Sequence, residues 1–148
     1  MGAGWSVAVA SVAVAAVFVW LGMVLGISFL EAPLKFRAPG VTLALGLGIG
    51  RLVFRALNVC EAVLAAVVLP GLLAGGYSAA TWGAYVAAVA TLAAQVVLVR
   101  PVLTRRSDAV LSGSDAGVSR SRAHYAYVGL EVLKVAALAA VGVLLLHH

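Results

Sequence analysis

Eight polar or charged residues stand inside two otherwise apolar stretches of the chain. Such groups in membrane-like surroundings bind ions, transfer protons or bind polar ligands. The two sets are Arg51, Arg55, Asn58 and Glu61 in the first stretch, and His124, Tyr127, Glu131 and Lys134 in the second. At about 100° per residue, each set falls within an arc of about 120° on a helix. The sequence therefore predicts two polar stripes on two helices.

The two stripes share a spacing, which predicts how they meet. Both place polar residues at offsets 0, +7 and +10, counted from Arg51 and from His124. With a rise of about 1.5 Å per residue, Glu61 and Lys134 each lie about 15 Å further along their helices. A lone charge near the bilayer centre costs about 2.5–3.5 kcal/mol, so pairing is expected. We predict that Glu61 contacts Lys134.

The remaining carboxylate of the second stripe needs its own partner. Glu131 is predicted to contact Arg55, Asn58 or Arg51. Glu31 and Gln95, on neighbouring helices, are expected to add polar groups from the sides. Two interpretations of this network stay open, since it either fixes the register of the helices or serves a ligand or ion.

A metal site is not expected among these residues. Glu61, His124 and Glu131 are of suitable types, but there is one histidine and no Glu-x-x-His spacing.

The helices that position the stripes follow from composition. Hydrophobic residues make up 64% of the 148 residues and charged residues 10%, against about 25% charged in soluble domains. Residues 1–30 and 62–99 carry no charge, and about 20 apolar residues cross the hydrocarbon core. The predicted fold is an all-α integral membrane protein, an up-down bundle of four transmembrane helices in a single domain, residues 1–148. We place the helices at about residues 5–30, 41–69, 79–99 and 124–146.

Prolines set the predicted ends of the middle helices. The second helix is expected to stop at Pro70-Gly71, and the third at Arg100-Pro101. Residues 41–50 are uncharged, so they either begin one long helix or form an interfacial or re-entrant piece. Pro33 and Pro101 each follow an apolar span and precede basic residues, which suggests that the two halves arose by duplication.

Basic residues predict the topology. Nine of the ten Lys and Arg residues lie in loops 31–40 and 100–123 or their flanks, and none lies in residues 70–78 or at the termini. The positive-inside rule then predicts both loops in the cytoplasm and both termini outside, in a bacterial cytoplasmic (inner) membrane. Topology also explains the net charge of +5 without nucleic acid. Membrane lipids and further copies of the chain are the expected partners.

One resemblance covers nearly the whole chain. Trp20-Leu21-Gly22-Met23, Phe29-x-x-x-Pro33-x-x-Phe36 and Arg122-x-His124 resemble motifs of a bacterial four-span membrane family. That family is similar to the eukaryotic transmembrane protein associated with cisplatin resistance. The resemblance implies a four-helix fold and no established chemistry.

A weaker resemblance is to the MAPEG family of membrane glutathione transferases and eicosanoid enzymes. Arg51, Asn58 and Glu61 look like the family's Arg…Asn-x-x-Glu signature, whose residues help to bind glutathione at the cytoplasmic side of a trimer. Arg55 lies one position later than the family pattern. The resemblance implies glutathione as cofactor.

The predicted function is that of a small polytopic inner-membrane protein whose polar network binds or conducts a small polar or amphipathic species. A MAPEG-like glutathione transferase and a structural subunit of a membrane complex are the alternatives. Whether the protein is an enzyme stays open. No cofactor is expected except glutathione in the transferase alternative.

Overall fold

The computed structural model describes residues 3–113 and 122–147, and this part of the chain is helical apart from short turns. The helices are α1 (Ala3–Val24), α2 (Ala32–Leu34), α3 (Leu43–Gly75), α4 (Ala79–Ala94), α5 (Arg100–Leu111) and α6 (Arg122–Leu146). π-helical segments Leu25–Glu31 and Gln95–Val99 join α1 to α2 and α4 to α5, and a 3-10 turn, Lys35–Arg37, follows α2. The predicted all-α fold is confirmed.

Four helical runs are long and apolar enough to cross a membrane, as predicted. They are Val7–Arg37, Leu43–Gly75, Ala79–Arg105 and Tyr125–Leu146. α1 packs mainly along α3 and also against α6, while α4 packs mainly along α6. The four runs therefore form one bundle around a shared interior.

The distribution of polar and apolar side chains supports a lipid environment. Large aliphatic residues such as Leu52, Leu73 and Val97 are about two-thirds exposed, at 70%, 69% and 66%. The buried interior instead holds Glu61, Lys134 and other polar groups. A soluble protein would place these two classes the other way round, so the surface is suited to hydrocarbon.

α3 is one continuous helix from Leu43 to Gly75. Residues 43–50 therefore begin this long helix and do not form a separate piece before it. Thr42 caps it, its hydroxyl accepting from the Leu45 amide at 3.2 Å, and Gly76 ends it in the left-handed conformation with φ 60°. The predicted stop at Pro70 is wrong, because the helix runs through this proline to Gly75. In apolar surroundings, ending a helix would leave more backbone groups unpaired than one proline does.

Gly71 explains a close approach of two helices. A Cβ at Gly71 would collide with the Cβ of Ala13 on α1. The absent side chain therefore lets α1 and α3 pack closely, as small residues do between membrane helices.

The predicted end of the third helix at Arg100-Pro101 is also wrong. The chain stays helical to Leu111, so residues 100–111 of the expected loop 100–123 are helical. In the π-helical segment before Pro101, the Arg100 amide bonds the Gln95 carbonyl. Such wider turns relieve the clash of a proline ring with the preceding turn. A second π-helical segment precedes Pro33, in keeping with the predicted relation between the halves.

Candidate functional site

Glu61 lies at the centre of the bundle and contacts residues from two other helices. Its Oε1 accepts from Lys134 Nζ on α6 at 2.6 Å and from Trp20 Nε1 on α1 at 2.9 Å. The Lys134 and Glu61 side chains are 0% exposed. The predicted Glu61–Lys134 contact is confirmed, and it ties α3 to α6.

Asn58 links Glu61 to the end of the bundle. With its amide oriented to satisfy both neighbours, Asn58 donates to Glu61 Oε2 at 3.2 Å and accepts from Arg100 Nη1 at 3.3 Å. Asn58 lies one helical turn before Glu61 on α3, so both face the same side. Glu61 therefore has three hydrogen-bond donors: an ammonium, an indole and an amide.

Glu131 has a different partner from the one predicted. Lys134, one turn later on α6, places Nζ 3.3 Å from Glu131 Oε2. The predicted contact with Arg55, Asn58 or Arg51 is wrong, because Lys134 spans both carboxylates. Within the described part of the chain, neither oxygen of Glu131 has a hydrogen bond of acceptable geometry.

Two further polar side chains lie inside the bundle. The Tyr127 hydroxyl is beside the Glu131 carboxyl. Gln95 is 0% exposed and begins the π-helical segment that packs on α6. Among residues 3–113 and 122–147, neither the hydroxyl nor the Gln95 amide atoms find a hydrogen-bond partner.

Glu31, which is predicted to add a polar group from the side, does not join this network. Glu31 pairs instead with Lys35 at 3.4 Å, whose ammonium lies 5.4 Å from the Phe54 ring centre. The backbone of His124 lies in α6, but its side chain is outside the described residues. We call Trp20, Asn58, Glu61, Glu131 and Lys134 the buried cluster.

Above the buried cluster, an open pocket of about 480 Å³ lies between α3 and the junction of α4 with α5. Its lining is Arg51, Arg55, Val96, Arg100, Pro101, Thr104 and Arg105. We call it the arginine pocket, and the end of the bundle where it lies the basic end. Arg100 belongs to the pocket lining and also bonds Asn58, so the pocket is joined to the buried cluster.

The arginine pocket carries uncompensated positive charge. Arg51 pairs with Asp108 on α5 at 2.6 Å. Within the described ranges, no carboxylate lies within ion-pair distance of Arg55, Arg100 or Arg105. Guanidinium groups bind carboxylates and phosphates with paired N–H donors. The pocket is therefore chemically suited to an anion.

Three of these residues were not predicted as site residues. The Trp20 indole N–H bonds the buried carboxylate. Arg100 and Arg105 were expected only to set topology, yet they line the pocket. They line the pocket because the helix continues through Pro101. A helix end predicted at this proline does not place them on a helix beside α3.

The structure thus defines a helical bundle of four membrane-length helices with a buried cluster of ionisable and polar side chains and an arginine pocket. The chain matches no protein-family model, and no curated protein or solved structure is similar to it. In the part of the chain described, no three His, Cys, Asp or Glu side chains are grouped as metal ligands would be.

Proposed function

We propose that the protein is a multi-pass protein of the bacterial inner membrane that binds an anionic amphiphile in the arginine pocket. The ligand's phosphate or carboxylate lies among the guanidinium groups, and its apolar part lies along the aliphatic outer face of the bundle. Four arginines converge on one pocket, and among the described residues three of them have no carboxylate partner; this convergence carries the proposal.

The position of the pocket fits such a ligand. In the proposed topology, loops 31–40 and 100–123 are cytoplasmic and both termini are outside. The basic end then lies at the cytoplasmic surface, where anionic lipids attract basic residues at about 1 kcal/mol each. Next to the pocket, Val97 and Leu98 are 66% and 67% exposed, and they offer an apolar surface to an acyl chain.

A titration with short-chain lipids tests the proposal. The protein in a neutral detergent is titrated with dioctanoyl phosphatidylglycerol, with the zwitterionic phosphatidylcholine of the same chain length, and with inorganic phosphate. Binding of the first alone supports an anionic amphiphile. Phosphate binding of equal strength would show that the acyl chains contribute nothing, and no binding of either anion would refute the proposal.

Matched variants locate the site. Arg55→Gln or Arg100→Gln removes a charge-assisted contact of about 1.5–3 kcal/mol, so affinity falls about tenfold or more. Arg37→Gln is the control, because Arg37 carries the same charge at the same end of the bundle but lies outside the pocket lining. Equal losses in all three variants would indicate general attraction to the basic end rather than a site.

The glutathione transferase alternative stays a prediction. Arg51, Asn58 and Glu61 carry it, but Glu61 is fully buried and bonded to Lys134 and Trp20. Its test is a glutathione titration together with the native mass, for which the alternative predicts saturable binding and a trimer.

A further inference from the structure

The buried cluster is unbalanced in charge. Glu61 and Glu131 supply two carboxylates, and Lys134 supplies the one ammonium in contact with them. All three side chains are at most 2% exposed. A net charge left without a partner in such surroundings costs several kcal/mol. Among the described residues, the two carboxylates therefore share one contacting cation.

Glu131 has a longer contact with Lys134 than Glu61 has, and it has fewer hydrogen-bond donors. Lys134 Nζ is 2.6 Å from Glu61 but 3.3 Å from Glu131. Glu61 also accepts from Trp20 and Asn58. Glu131 has the Tyr127 hydroxyl beside it, but among the described residues neither of its oxygens makes a hydrogen bond of good geometry. Glu61 thus has three donors, whereas Glu131 has Lys134 at the longer distance and the Tyr127 hydroxyl beside it.

No other helix in the described part of the chain supplies a second cation in contact with Glu61 or Glu131. From α3 the ionisable group is Glu61. From the start of α5 it is Arg100, which bonds Asn58 and lies near Tyr127 but forms no ion pair with either carboxylate. α1 has no ionisable residue in its sequence. α4 has only Tyr85, whose hydroxyl donates to the Ala65 carbonyl at 2.8 Å.

Two side chains that pack on or belong to α6 carry buried oxygen atoms with no hydrogen bond among the described residues. The Tyr127 hydroxyl is beside Glu131, and Gln95 lies on the segment packed against α6. Carboxylate, amide and hydroxyl oxygens are the ligands that hard cations prefer. The same oxygens accept a hydrogen bond from a carboxyl group that carries a proton.

From this charge balance and these oxygens, we propose that the buried cluster binds one small monovalent cation at Glu131, either a proton or Na⁺. The cation balances the second carboxylate, and Lys134 stays with Glu61. The proposal does not depend on the ligand of the arginine pocket, since it uses only contacts inside the bundle.

Trp20 provides the test, because its indole N–H bonds Glu61 inside the cluster. In the full-length Trp5→Phe/Trp82→Phe protein, Trp20 is the remaining tryptophan. Its emission is followed in detergent during a Na⁺ titration against choline at fixed pH, and during a pH titration without Na⁺. No lipid is added, so failure of the arginine pocket would not affect the result.

A saturable shift of the Trp20 emission with Na⁺ identifies sodium, and a shift with pH alone identifies the proton. Glu131→Gln is expected to abolish the response, and Gln95→Leu to weaken it. Glu31→Gln, whose carboxylate pairs with Lys35 outside the cluster, is expected to keep it. A Trp20 emission of the Trp5→Phe/Trp82→Phe protein that neither cation changes would overturn the proposal, as would an undiminished response after Glu131→Gln is added.

Discussion

Replacement of Lys134 by methionine is the perturbation that most sharply separates the roles of the two carboxylates. Methionine keeps most of the side-chain volume and removes the charge. Glu61 then keeps Trp20 and Asn58 as donors but loses its counter-ion, and Glu131 loses its contact as well. Breaking a buried pair by removing one partner costs about 3–5 kcal/mol, and we expect the free energy of unfolding to fall by this amount.

Glu61→Gln is expected to have a smaller effect than Lys134→Met. The glutamine still accepts from Trp20, and Lys134 remains 3.3 Å from Glu131. The loss then resembles that of one hydrogen bond to a charged group, about 1.5–3 kcal/mol. The double variant removes the Glu61 charge that Lys134→Met leaves uncompensated, so it is expected to be more stable than Lys134→Met alone.

Unfolding in mixed micelles, followed by circular dichroism as the denaturing detergent increases, gives the free energies. Lys35→Met is the control. It breaks an i,i+4 ion pair with the more exposed Glu31, which contributes about 1 kcal/mol or less. The reasoning fails if Lys134→Met and Glu61→Gln destabilise equally, or if the double variant is no more stable than Lys134→Met.

Three further predictions concern single contacts. Trp20→Phe removes one donor from Glu61 and is expected to lower the free energy of unfolding by about 1–3 kcal/mol, measured in the same way; an unchanged value would contradict this bond. Gly71→Ala places a Cβ against α1 and should destabilise by about 1–3 kcal/mol, whereas Gly83→Ala, with open space around it, should not; equal stabilities would argue against the close helix contact. Asp108→Asn frees the pocket arginine that it pairs with, so phosphatidylglycerol should bind more tightly in the titration, and weaker binding would contradict the proposed role of that arginine.

The pairing at the centre of the bundle was predictable, because helix periodicity and depth decide it. Matching offsets put Glu61 and Lys134 at the same level, and the penalty for an unpaired charge in a membrane makes contact necessary. The partner of Glu131 was not predictable in the same way. Lys134 lies one turn away on the same helix, and whether it spans both carboxylates depends on side-chain geometry rather than on spacing.

The helix ends predicted at Pro70 and Pro101 were also wrong, and both errors have the same cause. Pro70 and Pro101 were treated as they behave in water, where freed backbone groups bond to solvent. In apolar surroundings the helix continues, and at Pro101 a π-helical segment accommodates the ring. The continuation brings Arg100 and Arg105 to the pocket. The role of Trp20 was missed because an indole N–H gives no periodic signal in an uncharged run.

Lipid retention measured by native mass spectrometry tests the central claim most directly. The protein is extracted from bacterial membranes in a mild detergent, and the mass of any bound lipid is read from the intact complex. We predict one retained anionic phospholipid or acidic amphiphile per chain, lost in Arg55→Gln/Arg100→Gln and kept in Arg37→Gln. Retention of zwitterionic lipid instead, or anionic lipid unaffected by the paired pocket substitutions, would contradict an anion site in the arginine pocket.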